Sequence, residues 1–232
     1  MKKLRFLGAA LILVSLGYFV SLKFEAKQNE NKYEVFEVAA LEETADIVEE
    51  IEEENGDYRG LLSIEAAGIN YPLMQSDDND FYLHHDFEGN EDRQGSIFLD
   101  HNTSLNDAYS IIYGHNMLST KSMFYDLYKV NLGDKMTIDE KSYKCIAKYD
   151  TTTSDAAFKI GYTYDETFLN FINGAINASD SNATLTLTEI QNKHIVSIVT
   201  CNRKYAGKQE RAHRASTPDT HGHRRGRAHG AL

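Results

Sequence analysis

A chain of 232 residues has room for one domain of ordinary size plus a membrane segment, and no comfortable room for two catalytic domains. Acidic residues outnumber basic ones 35 to 24, for a formal net charge of -11, which argues against a nucleic-acid partner because phosphate binding needs a basic face. The imbalance is uneven: residues 203–232 carry eight Lys or Arg and two acids, so an acidic body ends in a basic tail of different make-up.

Met1-Lys-Lys-Leu-Arg5 leads into Phe6 to Leu22, an uncharged and mostly apolar run of 17 residues. About 17 to 25 such residues span a bilayer, so residues 1–24 read as a cytoplasmic tip and a single-pass transmembrane signal-anchor. Basic residues before the run and acids soon after it place everything later outside the cell membrane. A cleaved signal peptide is the competing reading, weakened because no small-x-small site follows the run. In residues 25–57, Val35, Phe36, Val38, Leu41, Ile47, Val48 and Ile51 recur at spacings near three and four, which predicts a helical stalk ended at Asn55-Gly56. Its acidic face reads as solvated surface rather than a metal site.

From Tyr58 the period changes to two, and residues 58–202 read as one folded domain. Arg59 to Ile64 and Ile69 to Met74 are predicted strands joined across Ala67-Gly68, with Pro72 placing the second at a sheet edge. Asp77-Asp78 can cap a short helix carrying Phe81, Tyr82 and Leu83. Strands follow at Gly95 to Asp100 and Tyr109 to Tyr113, a short helix in Lys121 to Val130, and strands at Lys135 to Asp139 and Ser142 to Tyr149. Phe168, Leu169, Phe171, Ile172 and Ile176 form a helical stripe over Tyr164 to Ala178, and Thr184 to Leu187 reads as a brief strand. The β-branched run Ile195-Val-Ser-Ile-Val-Thr-Cys201 is a buried strand with its cysteine at the rim. Many short strands and few helices predict a mainly β fold, a closed or nearly closed barrel.

A thiol at the end of a rigid strand can face a cleft, but only its thiolate attacks, and free cysteine has a pKa of about 8.5. The candidate for a base is His115 in Ile111-Ile-Tyr-Gly-His-Asn-Met117, where a β-run breaks at Gly114 and the backbone can turn. His84-His85-Asp86 at a helix end and Asp100-His101 at a loop start read as satisfied surface histidines. Cys145 reads as a small buried hydrophobe in a strand interior, and a disulfide between the two cysteines is disfavoured because they sit on separate strands. A papain-like order, with a cysteine near the start of a mature domain and its histidine far downstream, is not seen.

Asn70-Tyr-Pro-Leu-Met-Gln75, Asp78-Asn-Asp-Phe-Tyr-Leu83, Gly95-Ser-Ile-Phe-Leu-Asp100, Ile111-Ile-Tyr-Gly-His-Asn-Met117 with Ser122-Met-Phe124, and Val199-Thr-Cys201 resemble, in this order, the class B sortases of Gram-positive bacteria. The Tyr-Gly-His and Thr-Cys motifs stand about 85 residues apart, and the resemblance covers roughly Tyr58 to Cys201. It implies an eight-stranded sortase barrel with N-terminal helices and a helix before the cysteine strand. It also implies a cysteine transpeptidase that cleaves a C-terminal sorting signal after Thr and joins the surface protein to a peptidoglycan cross-bridge amine, or to its lipid-linked precursor. By position Cys201 is then the nucleophile, His115 the acid and base, and Asn79, Leu83, Tyr113 and Thr153 line the substrate groove. No cofactor and no metal are implied.

The family also carries an arginine about ten residues after the cysteine, on an apolar last strand, where it stabilises the oxyanion. Arg211 stands at that spacing, yet Lys208-Gln-Glu-Arg-Ala-His-Arg-Ala215 around it has no large apolar residue. Residues 203–232 therefore read as an atypical basic tail, disordered or read from a shifted frame, and the last strand is doubtful. A native tail binding acidic wall polymer or phospholipid is the rival reading; His221 and His223 in it are a weak metal signal. Two alternatives to a working transpeptidase stay open: a non-catalytic, sortase-like membrane-anchored binding protein, and an inactive, C-terminally damaged sortase.

Overall fold

The computed structural model of the chain describes Tyr33, residues 51–179 and 181–201, and the backbone of Arg227–Ala231. Its strands are β1 (Tyr58–Ile64), β2 (Ile69–Met74), β3 (Ile97–Leu99), β4 (Tyr109–Tyr113), β5 (Lys135–Ile138), β6 (Lys141–Lys144), β7 (Lys148–Thr152), β8 (Ile195–Cys201) and β9 (Arg227–Ala231). They form one nine-stranded sheet in the order β6-β5-β1-β2-β3-β4-β8-β9-β7, curled into a half-barrel. Helices α1 (Glu166–Ala178) and α2 (Leu187–Ile190) lie between β7 and β8 in the chain. The fold is thus mainly β as expected, with nine strands where eight are implied. The run Phe6 to Leu22, nearly all of the stalk and Arg211 lie outside the described residues. Among the described residues no helix is long and apolar enough to cross a membrane.

Strands β4 and β8 are neighbours in the sheet, and both of their faces are buried. Ile112, Val196 and Ile198 enter one apolar cluster, with Leu62, Leu73, Phe98 and Phe124. Tyr109, Ile111 and Val199 enter a second, with Phe168, Ile172 and Ile176 of α1. A strand buried on both sides needs a continuous β-branched run rather than an alternating one, and Ile195 to Cys201 supplies it. Burying a side chain such as Phe168 or Ile198 contributes about 1.5–3 kcal/mol relative to leaving it in water.

Four local expectations are corrected. β2 is interior rather than an edge, lying between β1 and β3; β3 pairs only with Leu73 and Met74, so Pro72 stands where that flank has no ladder to break. The stretch Ser142 to Tyr149 is two strands at opposite edges of the sheet, not one. Hydrogen bonds from Gly133 N to Cys145 O and from Cys145 N to Asp134 O close the β5–β6 hairpin there, and Ala147 is buried against the α1 cluster. Cys145 is consequently half-buried in the break between β6 and β7, not inside a strand. Thr184 to Leu187 is not a strand either: Thr186 N and Oγ1 both donate to Glu189 Oε2, at 2.8 and 2.7 Å, a capping arrangement that starts α2.

The fourth correction concerns the tail, five residues of which are a strand. Arg227–Ala231 pairs antiparallel with β8 on one side and with β7 on the other. Main-chain pairing between two open strand edges does not require large apolar side chains, and this was the step missing from a reading based on composition.

Gly114 closes β4 for a reason different from the turn expected of it. Its φ is not in the left-handed region; instead a Cβ there would lie 2.7 Å from the Phe124 ring and 3.2 Å from Ile97 Cγ1. Gly114→Ala is expected to destabilise the domain by roughly 1–3 kcal/mol through overpacking, read as a lower urea midpoint. An unchanged midpoint would show that Phe124 moves aside freely.

Candidate active site

β4 and β8 run parallel, with Tyr109 opposite Ile195 and Tyr113 opposite Val199. Tyr113 and Val199 are the last pair, and His115 and Cys201 each follow it by two residues. Three hydrogen bonds hold the chains together past the last ladder pair. Gly114 N donates to Val199 O (3.3 Å), Thr200 Oγ1 to Gly114 O (2.8 Å), and Asn116 Nδ2 to Cys201 O (3.0 Å). Neighbouring parallel strands lie about 4.8 Å apart, so imidazole and thiol issue from adjacent rows at one end of the sheet.

The His115 ring is fixed by Leu83, whose carbonyl oxygen lies 2.9 Å from Nε2. A carbonyl can only accept, so Nε2 carries the proton, and in the neutral ring Nδ1 is left with its lone pair for chemistry. Leu83 thus enters the site through its main chain, a role that no apolar side chain advertises in a sequence.

Cys201 is exposed and unbridged, and Cys145 is also a free thiol, so no disulfide joins the two. Solvent reaches Cys201, yet the surrounding protein displaces enough water to push its thiol up from the ordinary value. Burial pushes the Cys145 thiol up too, partly offset by the Lys148 ammonium, and its Sγ donates to Ala147 O at 3.5 Å. Alkylation with a small thiol reagent is therefore expected to modify Cys201 well before Cys145. For both, the rate should climb with pH through and beyond the usual cysteine range, because raised thiols form thiolate later. Equal, slow labelling of the two, mapped by mass spectrometry, would remove Cys201 from consideration.

Asn79, Tyr113 and Asp100 form one group. The buried Asp100 carboxylate accepts at Oδ2 from Asn79 Nδ2 (2.8 Å) and from Tyr113 OH (3.1 Å), and Asn79 Oδ1 accepts from His101 N (2.9 Å). The nearby carboxylate and burial hold the Tyr113 hydroxyl far above its normal pKa, so it stays a neutral donor. The sequence reading missed Asp100 as the organiser of this group; its signal was an acid placed directly after the buried run Ile97–Leu99. Thr153 is exposed and follows β7 directly. Thr151 and Cys201 both pair with Ala228 of β9, which sets Thr153, two residues further on, near the same end of the sheet as Cys201 and two strands away.

Among the described residues, His84, His85 and His101 are occupied elsewhere. His85 stacks on Phe81 at 3.9 Å between ring centroids and its Nδ1 donates to Phe81 O, whereas His84 faces Asp80 in solvent. His101 lies beside Asn102 and Asp100 at the loop start. Among the described residues no three His, Cys, Asp or Glu side chains are grouped to hold a metal ion. The strand beside β8 is headed by Arg227, one position from the Ala228 that pairs with Cys201. A cavity of about 380 Å³ lined by Met136, Tyr143, Cys145, Leu185, Ile190 and Val196 lies at the other end of β8, away from this constellation.

Comparison with known proteins accords with this geometry. A sortase-domain family model matches residues 62–215. Sortase B of Listeria monocytogenes is 36% identical over 147 residues, 56% of this chain and 59% of its own, so the chain spans about three fifths of that relative. Sortase B of Staphylococcus aureus is 25% identical over 216 residues, 84% of this chain and 87% of its own. In fold the chain is similar to Clostridium perfringens sortase B, with TM-score 0.58 at 22% identity over 79% of this chain and 97% of that one. A Staphylococcus aureus sortase B–substrate complex gives TM-score 0.58 at 21% identity over 91% of each chain. With more than half of its length matched by the family model, the chain belongs to the sortase family, and the relatives it resembles are sortase B proteins.

Proposed function

We propose that this sortase-family chain is a cysteine transpeptidase that cleaves a C-terminal sorting signal after a threonine and passes the surface protein to an amine of the peptidoglycan cross-bridge or its lipid-linked precursor. The observation that supports this most is the parallel pairing of β4 and β8, whose last pair, Tyr113 with Val199, stands two residues before His115 on one chain and two before Cys201 on the other. Cys201 attacks the threonine carbonyl while its proton passes to His115 Nδ1, which returns a proton to the departing amide nitrogen as the C–N bond breaks. The acceptor amine then attacks the thioester, its proton goes to the same nitrogen, and the C–S electron pair returns to sulfur. Asn79, Tyr113 and Thr153 line the approach for the peptide, with Leu83 holding the imidazole. A segment through Phe6 to Leu22 anchors the protein in the cell membrane with the catalytic domain outside.

An inactive version is the second reading, favoured by the raised Cys201 thiol, for which burial is the cause and which no cation among the described residues opposes. Arg211, the residue at the family's spacing, lies outside the described residues. One experiment separates the readings: the protein is incubated with a sorting-signal peptide and its intact mass is measured. An acyl adduct on Cys201 that a primary amine discharges supports the transpeptidase; no adduct favours the inactive or binding-only protein.

A further inference from the structure

Asn116, next to the proposed base, has an arrangement that packing alone does not require. β4 ends at Tyr113 and its chain turns away to form an isolated bridge between Asn116 and Met123. In an uninterrupted parallel pair, a backbone N–H would meet the Cys201 carbonyl on the β4 side. Here the Asn116 side chain fills that place, with Nδ2 3.0 Å from Cys201 O. The amide orientation is not arbitrary, since a carbonyl can face only the NH₂ end. That forces Oδ1 the other way, where it is buried with no partner among the described residues. An unsatisfied buried acceptor is costly, so the asparagine gives up stability at one end to keep a donor at the other.

We infer that Asn116 is a positioning residue: its side-chain amide extends the β4–β8 ladder through the row of Cys201 and holds the nucleophile's main chain in register with His115. Two hydrogen bonds flank this row, from Thr200 Oγ1 to Gly114 O and from Phe124 N to His115 O (2.9 Å), so the histidine side is anchored independently. Asn116 is the tie on the cysteine side. Its loss leaves both groups present while blurring the distance between them, and proton transfer is far more sensitive to that distance than peptide binding is.

This inference rests on the transpeptidase reading, and its test distinguishes the two. Full-chain wild type, Asn116→Ala and Asn116→Asp are compared in acylation by a sorting-signal peptide, which needs thiol and imidazole together. Alkylation by iodoacetamide, which needs only the thiol, is measured beside it. The acylation rate at saturating peptide is expected to fall about tenfold or more in Asn116→Ala, with KM within about twofold. Alkylation of Cys201 should stay within about twofold, and slow labelling of Cys145 should report an intact fold. Asn116→Asp, which keeps the shape but loses the donor and sets a carboxylate against Cys201 O, should be at least as impaired. Acylation unchanged in Asn116→Ala, or wild-type rates in Asn116→Asp, would overturn the positioning role. So would equal losses in acylation and alkylation, which indicate general loosening. A wild-type protein that forms no adduct would overturn the transpeptidase reading and this inference with it.

Discussion

Cys201→Ala is expected to abolish acyl-adduct formation on a sorting-signal peptide, lowering turnover by at least about 10³-fold, as removal of a covalent nucleophile does. The protein should remain folded, because Cys201 is exposed at the end of β8 and contributes little to either apolar cluster. Its urea midpoint is the control. The contrast with Cys145→Ala sharpens the test: that thiol lines a cavity at the other end of the sheet, so its loss should cost some stability and leave acylation intact. Cleavage by Cys201→Ala at the wild-type rate would end the thioacyl mechanism.

His115→Ala should cost roughly 10² to 10⁴ in acylation, the usual worth of a positioned acid–base group. His101→Ala, a loop histidine beside Asn102, should stay within about twofold of wild type. The pH dependence provides a second measure. With His115 gone, only thiolate already present can attack, and burial holds the Cys201 thiol above its ordinary value. Residual acylation by the variant should therefore increase with pH throughout the neutral range and beyond it. A variant whose rate stays flat across that range would mean that another group takes the thiol proton. Leu83 offers no such substitute, because it presents an amide carbonyl, which accepts a hydrogen bond but is far too weak a base to take a thiol proton.

These expectations depend on how local each feature is. The strand Ile195–Cys201, the helix Glu166–Ala178 and the β1–β2 hairpin were readable as sequence because their signals are periodic and local. A β-branched run, a stripe at spacings of three and four, and a turn at Gly68 each act within a few residues. Cys201 and His115 were likewise visible, one at the end of a buried run and the other after a glycine. The reading failed where a backbone changes partners. Nothing in Tyr143-Lys-Cys-Ile-Ala147 says that the chain leaves one edge of the sheet for the other, and nothing in a basic Ala- and Gly-containing tail says that two open strands will recruit it.

Taken alone, the sequence determined the mainly β class, the two residues proposed as nucleophile and base, and the acidic character of the body, because composition, periodicity and residue chemistry are properties of single segments. Tertiary structure decided which groups meet. The parallel register ends at Tyr113 and Val199, two residues short of both residue 115 and residue 201, the Leu83 carbonyl faces Nε2 of His115, Asp100 gathers Asn79 and Tyr113, and Asn116 ties the cysteine strand. Each of these is a hydrogen bond or a strand pairing between residues 13 to 86 positions apart, and its partner is chosen by the path of the whole chain rather than by any stretch within it.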